Sequence, residues 1–144
     1  MLVERSDVDA RLIDALAQTA FSVMAVLNRV GAENDLSLTQ LRVMGILRDR
    51  RLRMTALADY LGLEKSTMTG LVDRAEKRGL LGRAPSETDG RAVDVFLTPA
   101  GEELVGPVYR RVVELLAPMV ETLRPAERRQ LQAHLETMLG PPLP

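Results

Sequence analysis

Apolar residues recur at helical spacing through most of the chain, and capping residues, glycines and prolines divide this pattern into six predicted helices. The first helix is predicted to begin at Ser6, where Asp9 completes a capping-box pattern, and to end near Gly31. Its apolar residues cover more than one face. A helix of this kind usually packs against two surfaces rather than one.

Three shorter helices are predicted in the middle of the chain. The second helix follows Ser37, which forms a capping-box pattern with Gln40, and it extends to about Leu47. The strongly basic stretch that comes next, residues 48–53, is interpreted as a solvated loop.

The third and fourth predicted helices are separated by a short turn. Thr55 caps a helix over 56–61, Gly62 ends it, and a helix over 66–78 follows before Gly79. The apolar positions of the fourth helix form one stripe: Met68, Leu71, Val72 and Ala75. Two helices joined in this way form a helix-turn-helix.

A β-hairpin is predicted directly after this motif. Residues 80–83 and the β-branched run 91–97 flank a turn-rich segment that contains Asp89-Gly90, a strong hairpin signal. The two strands add a wing to the helix-turn-helix, so the sequence predicts a winged helix.

Two more helices are predicted beyond the wing, the last over 125–139. Thr98 is the N-cap of the long fifth helix and Pro99 its first residue, where the missing N–H costs nothing. Pro107 and Pro118 lie inside this helix and are expected to kink or break it.

Composition excludes several functional classes. The 144 residues include no Cys and one His, which excludes thiolate chemistry, Cys-based zinc sites and His clusters. We therefore expect no cofactor, no metal and no enzymatic activity. Because no long apolar run and no signal-peptide pattern are found, a cytoplasmic protein that does not enter a membrane is expected.

Charge is distributed unevenly along the chain. Residues 37–98 contain eleven Lys and Arg against eight acidic residues, whereas the segments on both sides are net acidic. A basic middle suits a module that faces a polyanion, although the excess is modest.

Residues 36–104 resemble MarR-type transcriptional regulators. The resemblance rests on these segments: Ser37 to Gln40, Leu57-Ala58-Asp59-Tyr60-Leu61-Gly62, Lys65 to Arg74 with Gly79-Leu80, Asp89-Gly90-Arg91 and Thr98-Pro99-Ala100-Gly101. It implies a mainly α fold with a small two-stranded wing, and a homodimeric repressor that binds a palindromic operator in double-stranded DNA.

The start of the fourth helix is the expected reading surface, because a recognition helix places its N-terminal residues on base edges in the major groove. The candidate DNA-binding residues are Lys65, Ser66, Thr67, Thr69 and Arg74. Gly70 departs from the long polar residue found there in many family members and removes one base contact. For Arg78, a DNA contact and an ion pair on the helix surface remain equally open.

The family match assigns Arg91, at the tip of the wing, to the minor groove and gives Asp89 the task of orienting its guanidinium. Arg53, together with Arg51, is a candidate phosphate contact at the start of the third helix. Arg83, at the base of the wing, stays ambiguous.

Dimerisation is assigned by the resemblance to the terminal segments: residues 1–35 and 99–144 flank the winged helix of residues 36–98. These helices cannot all pack on a winged helix that is already complete. The candidate interface residues are Leu12, Leu16, Leu131, Leu135 and Met138. His134 is interpreted as an interface or surface residue.

The resemblance also implies a cleft for a small anionic aromatic or lipophilic effector, beside the dimerisation helices. Phe21, Met24, Met44 and Tyr109 are candidate lining residues, with plain core as the stronger interpretation. A second function stays open: a winged-helix module for protein interaction that binds no DNA, consistent with the modest positive charge.

Overall fold

The computed structural model describes residues 2–143, which form six α-helices, one 3-10 turn and a three-stranded antiparallel sheet. The elements in chain order are α1 (Leu2–Glu33), α2 (Leu38–Ile46), the 3-10 turn Leu47–Asp49, β1 (Leu52–Arg53), α3 (Met54–Leu61), α4 (Lys65–Lys77), β2 (Leu81–Pro85), β3 (Val93–Leu97), α5 (Pro99–Glu121) and α6 (Pro125–Leu139). This order confirms the predicted winged helix between terminal helices.

The first helix is longer than predicted at both ends. It begins at Leu2 rather than at Ser6, and it continues two residues past Gly31. Gly31 has a different role, because the Leu36 N–H donates to its carbonyl at 2.8 Å and a Cβ there would lie 2.6 Å from the Leu36 carbonyl oxygen. The left-handed residue of this turn is Asp35, with φ of 54°.

The caps of α2 and α3 differ in how well the sequence predicted them. The capping box is confirmed: Gln40 N–H donates to Ser37 Oγ at 3.1 Å, and Ser37 N–H donates to Gln40 Oε1 at 2.9 Å. The prediction that Thr55 caps α3 was wrong, because Arg53 is the N-cap and its backbone comes straight from β1. Gly62 ends α3 with φ of 67°, as predicted.

The sheet has a strand that the sequence did not predict. Its order is β1-β3-β2, with Leu52 opposite Val95 and Arg53 opposite Asp94. The interpretation of residues 48–53 as a solvated loop was therefore wrong in part, because Leu52 is buried under the wing. A two-residue strand is too short to show alternation, and flanking arginines hid it.

The core lies within the winged helix and its junction with α1 and α5. The predicted stripe of α4 is buried, and the α5 cap is confirmed, since Gly101 N–H donates to Thr98 Oγ1 at 3.1 Å. A Cβ on Gly101 would lie 2.1 Å from the Leu80 carbonyl oxygen. Glycine thus allows α5 to touch the backbone at the base of the wing.

The fifth helix is continuous through both prolines, so of the two expected outcomes, a kink or a break, the break was wrong. Pro107 and Pro118 are exposed, and water can reach the helix surface beside them. The packing of α5 against α1 and α2 supports the helix where the prolines weaken it.

The terminal helices expose large apolar side chains. Leu12 is 64% exposed and Met138 is 61% exposed, and α6 has no buried residue in the part of the chain that the structure describes. One segment, Asp9–Glu33, is long and apolar enough to cross a membrane by length and composition alone. The expectation that the chain has no such segment rested on the lack of an uninterrupted apolar run. Isolated polar residues such as Gln18 and Ser22 interrupt this one without removing its apolar character as a whole.

Candidate nucleic-acid interface

The exposed start of α4 presents the predicted reading residues. Lys65, Ser66 and Thr67 are exposed in the first turn, while the opposite face of the helix is buried. Thr69 follows one turn later, and its hydroxyl donates to the Lys65 carbonyl at 2.8 Å, which leaves the oxygen able to accept.

A groove of about 490 Å³ separates α4 from the wing. Lys65 and Thr69 line it from the helix, and Arg83 and Arg91 line it from the wing. The structure therefore brings three predicted DNA-binding residues, Lys65, Thr69 and Arg91, to one surface. The other predicted residues lie outside this groove.

Arg74 extends back along α4 toward the start of the helix. A Cβ on Gly70 would lie 3.4 Å from Arg74 Nη1, so the guanidinium occupies space that a side chain at position 70 would fill. The departure at Gly70 removes one side chain from the reading surface and gives that place to an arginine.

Arg83 is held by carboxylates of α4. Its guanidinium contacts Asp73 at 2.7 Å and Glu76 at 3.0 Å, and the hydrogen bond to Glu76 is the main cause that raises the pKa of Arg83. The ambiguity at this position is resolved toward a structural role, because Arg83 joins the base of the wing to α4.

The wing loop is held by polar contacts from both sides. Asp89 Oδ1 accepts from the backbone N–H of Arg91 at 3.1 Å, and among the described residues it forms no ion pair with the Arg91 guanidinium. Asp89 thus fixes the turn rather than the arginine head, which corrects the predicted contact. Arg53 Nη2 donates to Thr88 Oγ1 at 3.0 Å and braces the same loop.

The predicted phosphate contact Arg51 is also engaged within the chain. Its Nε lies 3.4 Å from Asp94 Oδ2, and its guanidinium carbon lies 4.9 Å from the centroid of the Phe96 ring. Both partners belong to β3, so Arg51 packs against the sheet.

A second cleft, of about 440 Å³, lies between α1, α2 and α5. Met24 and Tyr109 line it, whereas the other two candidate lining residues, Phe21 and Met44, do not. Phe21 is 69% exposed elsewhere on α1, and Met44 is buried in the core.

Two arginines of this cleft were missed by the sequence reasoning. Arg42 and Arg48 line it beside apolar side chains, and the Arg48 guanidinium carbon lies 4.0 Å from the centroid of the Tyr109 ring. The available signal was helical spacing, since the positions that face the cleft from this segment are Leu38, Leu41, Arg42, Gly45 and Arg48.

Comparison with known proteins assigns the chain to a family. A sequence model of the MarR family matches residues 34–92. The chain is 31% identical over 135 residues to the uncharacterized HTH-type transcriptional regulator Mb0904 of Mycobacterium bovis, covering 93% of this chain and 94% of that protein. This chain belongs to the MarR family.

Further comparisons agree with the family assignment. This MarR-family chain is 28% identical over 148 residues to the HTH-type transcriptional regulator PecS of Dickeya dadantii, covering 95% of this chain and 84% of that one. It shares the fold of NadR, solved in complex with 4-hydroxyphenylacetate, with a TM-score of 0.77, 24% identity and coverage of 88% and 90%.

The MarR-family protein is therefore a helix-turn-helix transcriptional regulator. The relatives named above are transcriptional regulators rather than enzymes. None of them supports the alternative of a protein-interaction module without DNA binding.

Proposed function

We propose that this MarR-family regulator is a cytoplasmic, homodimeric repressor that binds a palindromic operator in double-stranded DNA. The observation that carries the proposal is the groove that Lys65, Thr69 and Arg91 share. A helix in the major groove and a wing arginine in the adjacent minor groove need such a common surface. Ser66, Thr67 and Arg74 extend it along α4, and Arg53 and Asp89 hold the wing loop.

The apolar surface of the terminal helices supports a dimer. Five apolar residues of α1 and α6 are at least 37% exposed, on faces that no other described part of the chain covers: Leu12, Leu16, Leu131, Leu135 and Met138. A second copy would bury them and place two copies of α4 on one side of the assembly. In this proposal residues 1–35 and 99–144 form the dimer and residues 36–98 bind DNA.

Selection of duplexes from a random library with the purified protein tests the DNA-binding proposal. The selected duplex should bind more tightly than a scrambled duplex of the same composition. Its affinity should fall with salt with a slope of several units in log K against log salt, because each phosphate contact releases counterions. Equal and weak binding of both duplexes would contradict the proposal.

The cleft of α1, α2 and α5 supports an effector in the same proposal. Its lining is mainly apolar, and Arg42 and Arg48 bring guanidinium groups that suit a carboxylate. A small anionic aromatic or lipophilic molecule fits this chemistry, and NadR is a relative in fold that was solved with 4-hydroxyphenylacetate.

Titration of the protein–operator complex with 4-hydroxyphenylacetate, and with its neutral amide, tests the effector. The acid should release DNA and the amide should not. Arg48→Leu should weaken the response, while Arg110→Leu, an exposed position of α5 outside the cleft, should leave it unchanged. Equal responses of all variants would contradict this assignment.

A further inference from the structure

Arg78, the residue directly after α4, contacts the turn between α1 and α2. Its Nη1 donates to the Asp35 carbonyl at 2.5 Å, and its Nη2 donates to the Asn34 carbonyl at 3.2 Å. These carbonyls accept no other hydrogen bond from the residues that the structure describes. Neither of the two roles expected from sequence, a DNA contact or an ion pair on the helix surface, uses the guanidinium.

The last residue of α1, directly before this turn, is held by α5. Arg111 Nε lies 3.3 Å from Glu33 Oε2, and Arg29 Nε lies 3.3 Å from Glu33 Oε1. The end of α1 and the turn after it are therefore contacted by Arg111 of α5 and by Arg78 at the end of α4.

The chain passes twice between the winged helix and the terminal helices, and the end of α4 touches both passages. The first passage is the turn at residues 34–37, which Arg78 contacts. The second is Thr98, whose hydroxyl donates to the carbonyl of Gly79 and whose N–H donates to the carbonyl of Leu80 at 3.1 Å. Backbone and hydroxyl groups tie the second passage to the end of α4, whereas among the described residues Arg78 alone makes a polar contact from the end of α4 to the first.

We propose that Arg78 is a positioning residue for operator binding: it fixes the direction of α4 relative to α1, and thereby the separation of the two reading helices in the dimer. The inference rests on the proposed dimeric DNA binding. Within the described residues, no other hydrogen bond or ion pair joins α4 to α1 or to the turn that follows it. Without Arg78, packing still attaches the winged helix to α1 and α5, but the polar contact that sets the direction of α4 relative to α1 is lost.

A distance measurement without DNA tests the positioning directly. The chain contains no Cys, so Asp59→Cys, at an exposed site of α3, gives one spin label per protomer. Pulsed electron paramagnetic resonance then reports the distance between the two winged helices. Arg78→Ala should broaden or shift the distribution of distances. The distribution of Arg78→Lys, which offers one ammonium group to two carbonyls, should lie between those of Arg78→Ala and the parent.

Lys77→Ala is the matched control, because it also removes one positive charge, one residue before Arg78. The Lys77 side chain makes no polar contact among residues 2–143. Its distance distribution should coincide with that of the parent. An Arg78→Ala distribution that also coincides with the parent overturns the inference alone. A label that reports only monomers overturns both the inference and the proposed dimer.

Operator binding supplies the second readout. Duplexes whose half-sites are one base pair closer or farther apart should bind more weakly than the operator with the best spacing. Arg78→Ala should show a smaller difference in affinity between these duplexes than the parent does, and its affinity for the best spacing should fall about three- to tenfold. The salt slope should stay unchanged, since Arg78 contacts protein carbonyls. A slope smaller by about one, with spacing preference intact, would make Arg78 a phosphate contact and overturn the inference. If Arg78→Ala does not fold, Arg78→Lys is measured in the same way.

Discussion

The winged helix and the terminal helices use apolar residues in opposite ways. In the winged helix, Leu57 and Met68 are fully buried, and the neighbouring arginine Arg83 is paired with carboxylates. In the terminal helices, Leu12 and Leu139 are 64% and 80% exposed. One region completes its core within the chain, and the other presents a surface whose burial requires another molecule.

Removal of residues 125–144 is the strongest test of this difference. The winged helix should stay folded, because α6 contributes no buried residue among those described. The dimer should be lost, and operator affinity should fall by about a hundredfold or more, since two linked half-site contacts become independent. Sedimentation and DNA titration measure the two effects. A truncated monomer with full affinity for the palindrome would contradict the proposed assembly.

A pair of leucine truncations sharpens the same difference. Leu57→Ala should lower the free energy of unfolding by about 2–5 kcal/mol, because it leaves a cavity in a packed core. Leu135→Ala should instead change the dependence of Tm on protein concentration, because its side chain is 40% exposed in the single chain. Thermal unfolding at several concentrations separates them. If Leu135→Ala shifted Tm equally at every concentration, α6 would not lie at the proposed interface.

Arg91→Ala tests whether the wing reads DNA. The change should weaken operator binding by about 1–3 kcal/mol and leave stability nearly unchanged, because the residue is exposed. Asp89→Ala should cost less, since it loosens the turn without removing the charge. Arg74→Ala, on α4, should add to Arg91→Ala almost in full.

Binding at one salt concentration measures the three single variants and the Arg74→Ala/Arg91→Ala double variant, with Arg110→Ala on α5 as the control for loss of an exposed charge. If Arg91→Ala bound the operator as tightly as the parent, the wing would be a solvated hairpin without a DNA contact at this residue. Recognition would then depend on α4 alone.

The junction of α1 and α5 gives the smallest expected effect. A hydrogen bond from Arg111, followed by its charge, lowers the pKa of Glu33 below the ordinary value of 4.5. A lowered pKa stabilises the folded state at pH values above the ordinary pKa of the carboxyl group. This contribution is lost as the pH falls through the lowered pKa. Glu33→Gln should therefore be slightly less stable at neutral pH, and denaturant unfolding should show the two proteins converging in acid. A difference that persisted at low pH would contradict the ion pair.

Features with a local sequence code were predicted well. The stripe of α4, the capping box of Ser37 and the start of α5 at Pro99 depend on spacings within one helix. The strand at Leu52 has only two residues and leaves no periodic trace.

Contacts between residues far apart in the chain could not be predicted from the sequence. An arginine has five donors and a long side chain, so its partner depends on which elements meet. Arg78 and Arg83 were left open for that reason, and the structure gives them carbonyls of a distant turn and carboxylates of α4. Met44 and Phe21 do not line the cleft. The sequence could not show this, because the periodicity of a helix shows its faces without showing what each face meets.

The backbone contact at Gly101 couples α5 rigidly to the base of the wing, so the two are expected to move together. No side chain lies between Gly101 and the Leu80 carbonyl, so no change of rotamer can absorb movement there. The helix has 23 residues, which gives an arm about 34 Å long. A tilt of about 5° at one end moves the other by about 3 Å, close to the spacing of successive base pairs. In the proposed complex with DNA, a slight rotation among the terminal helices would therefore move the wing by about one base step.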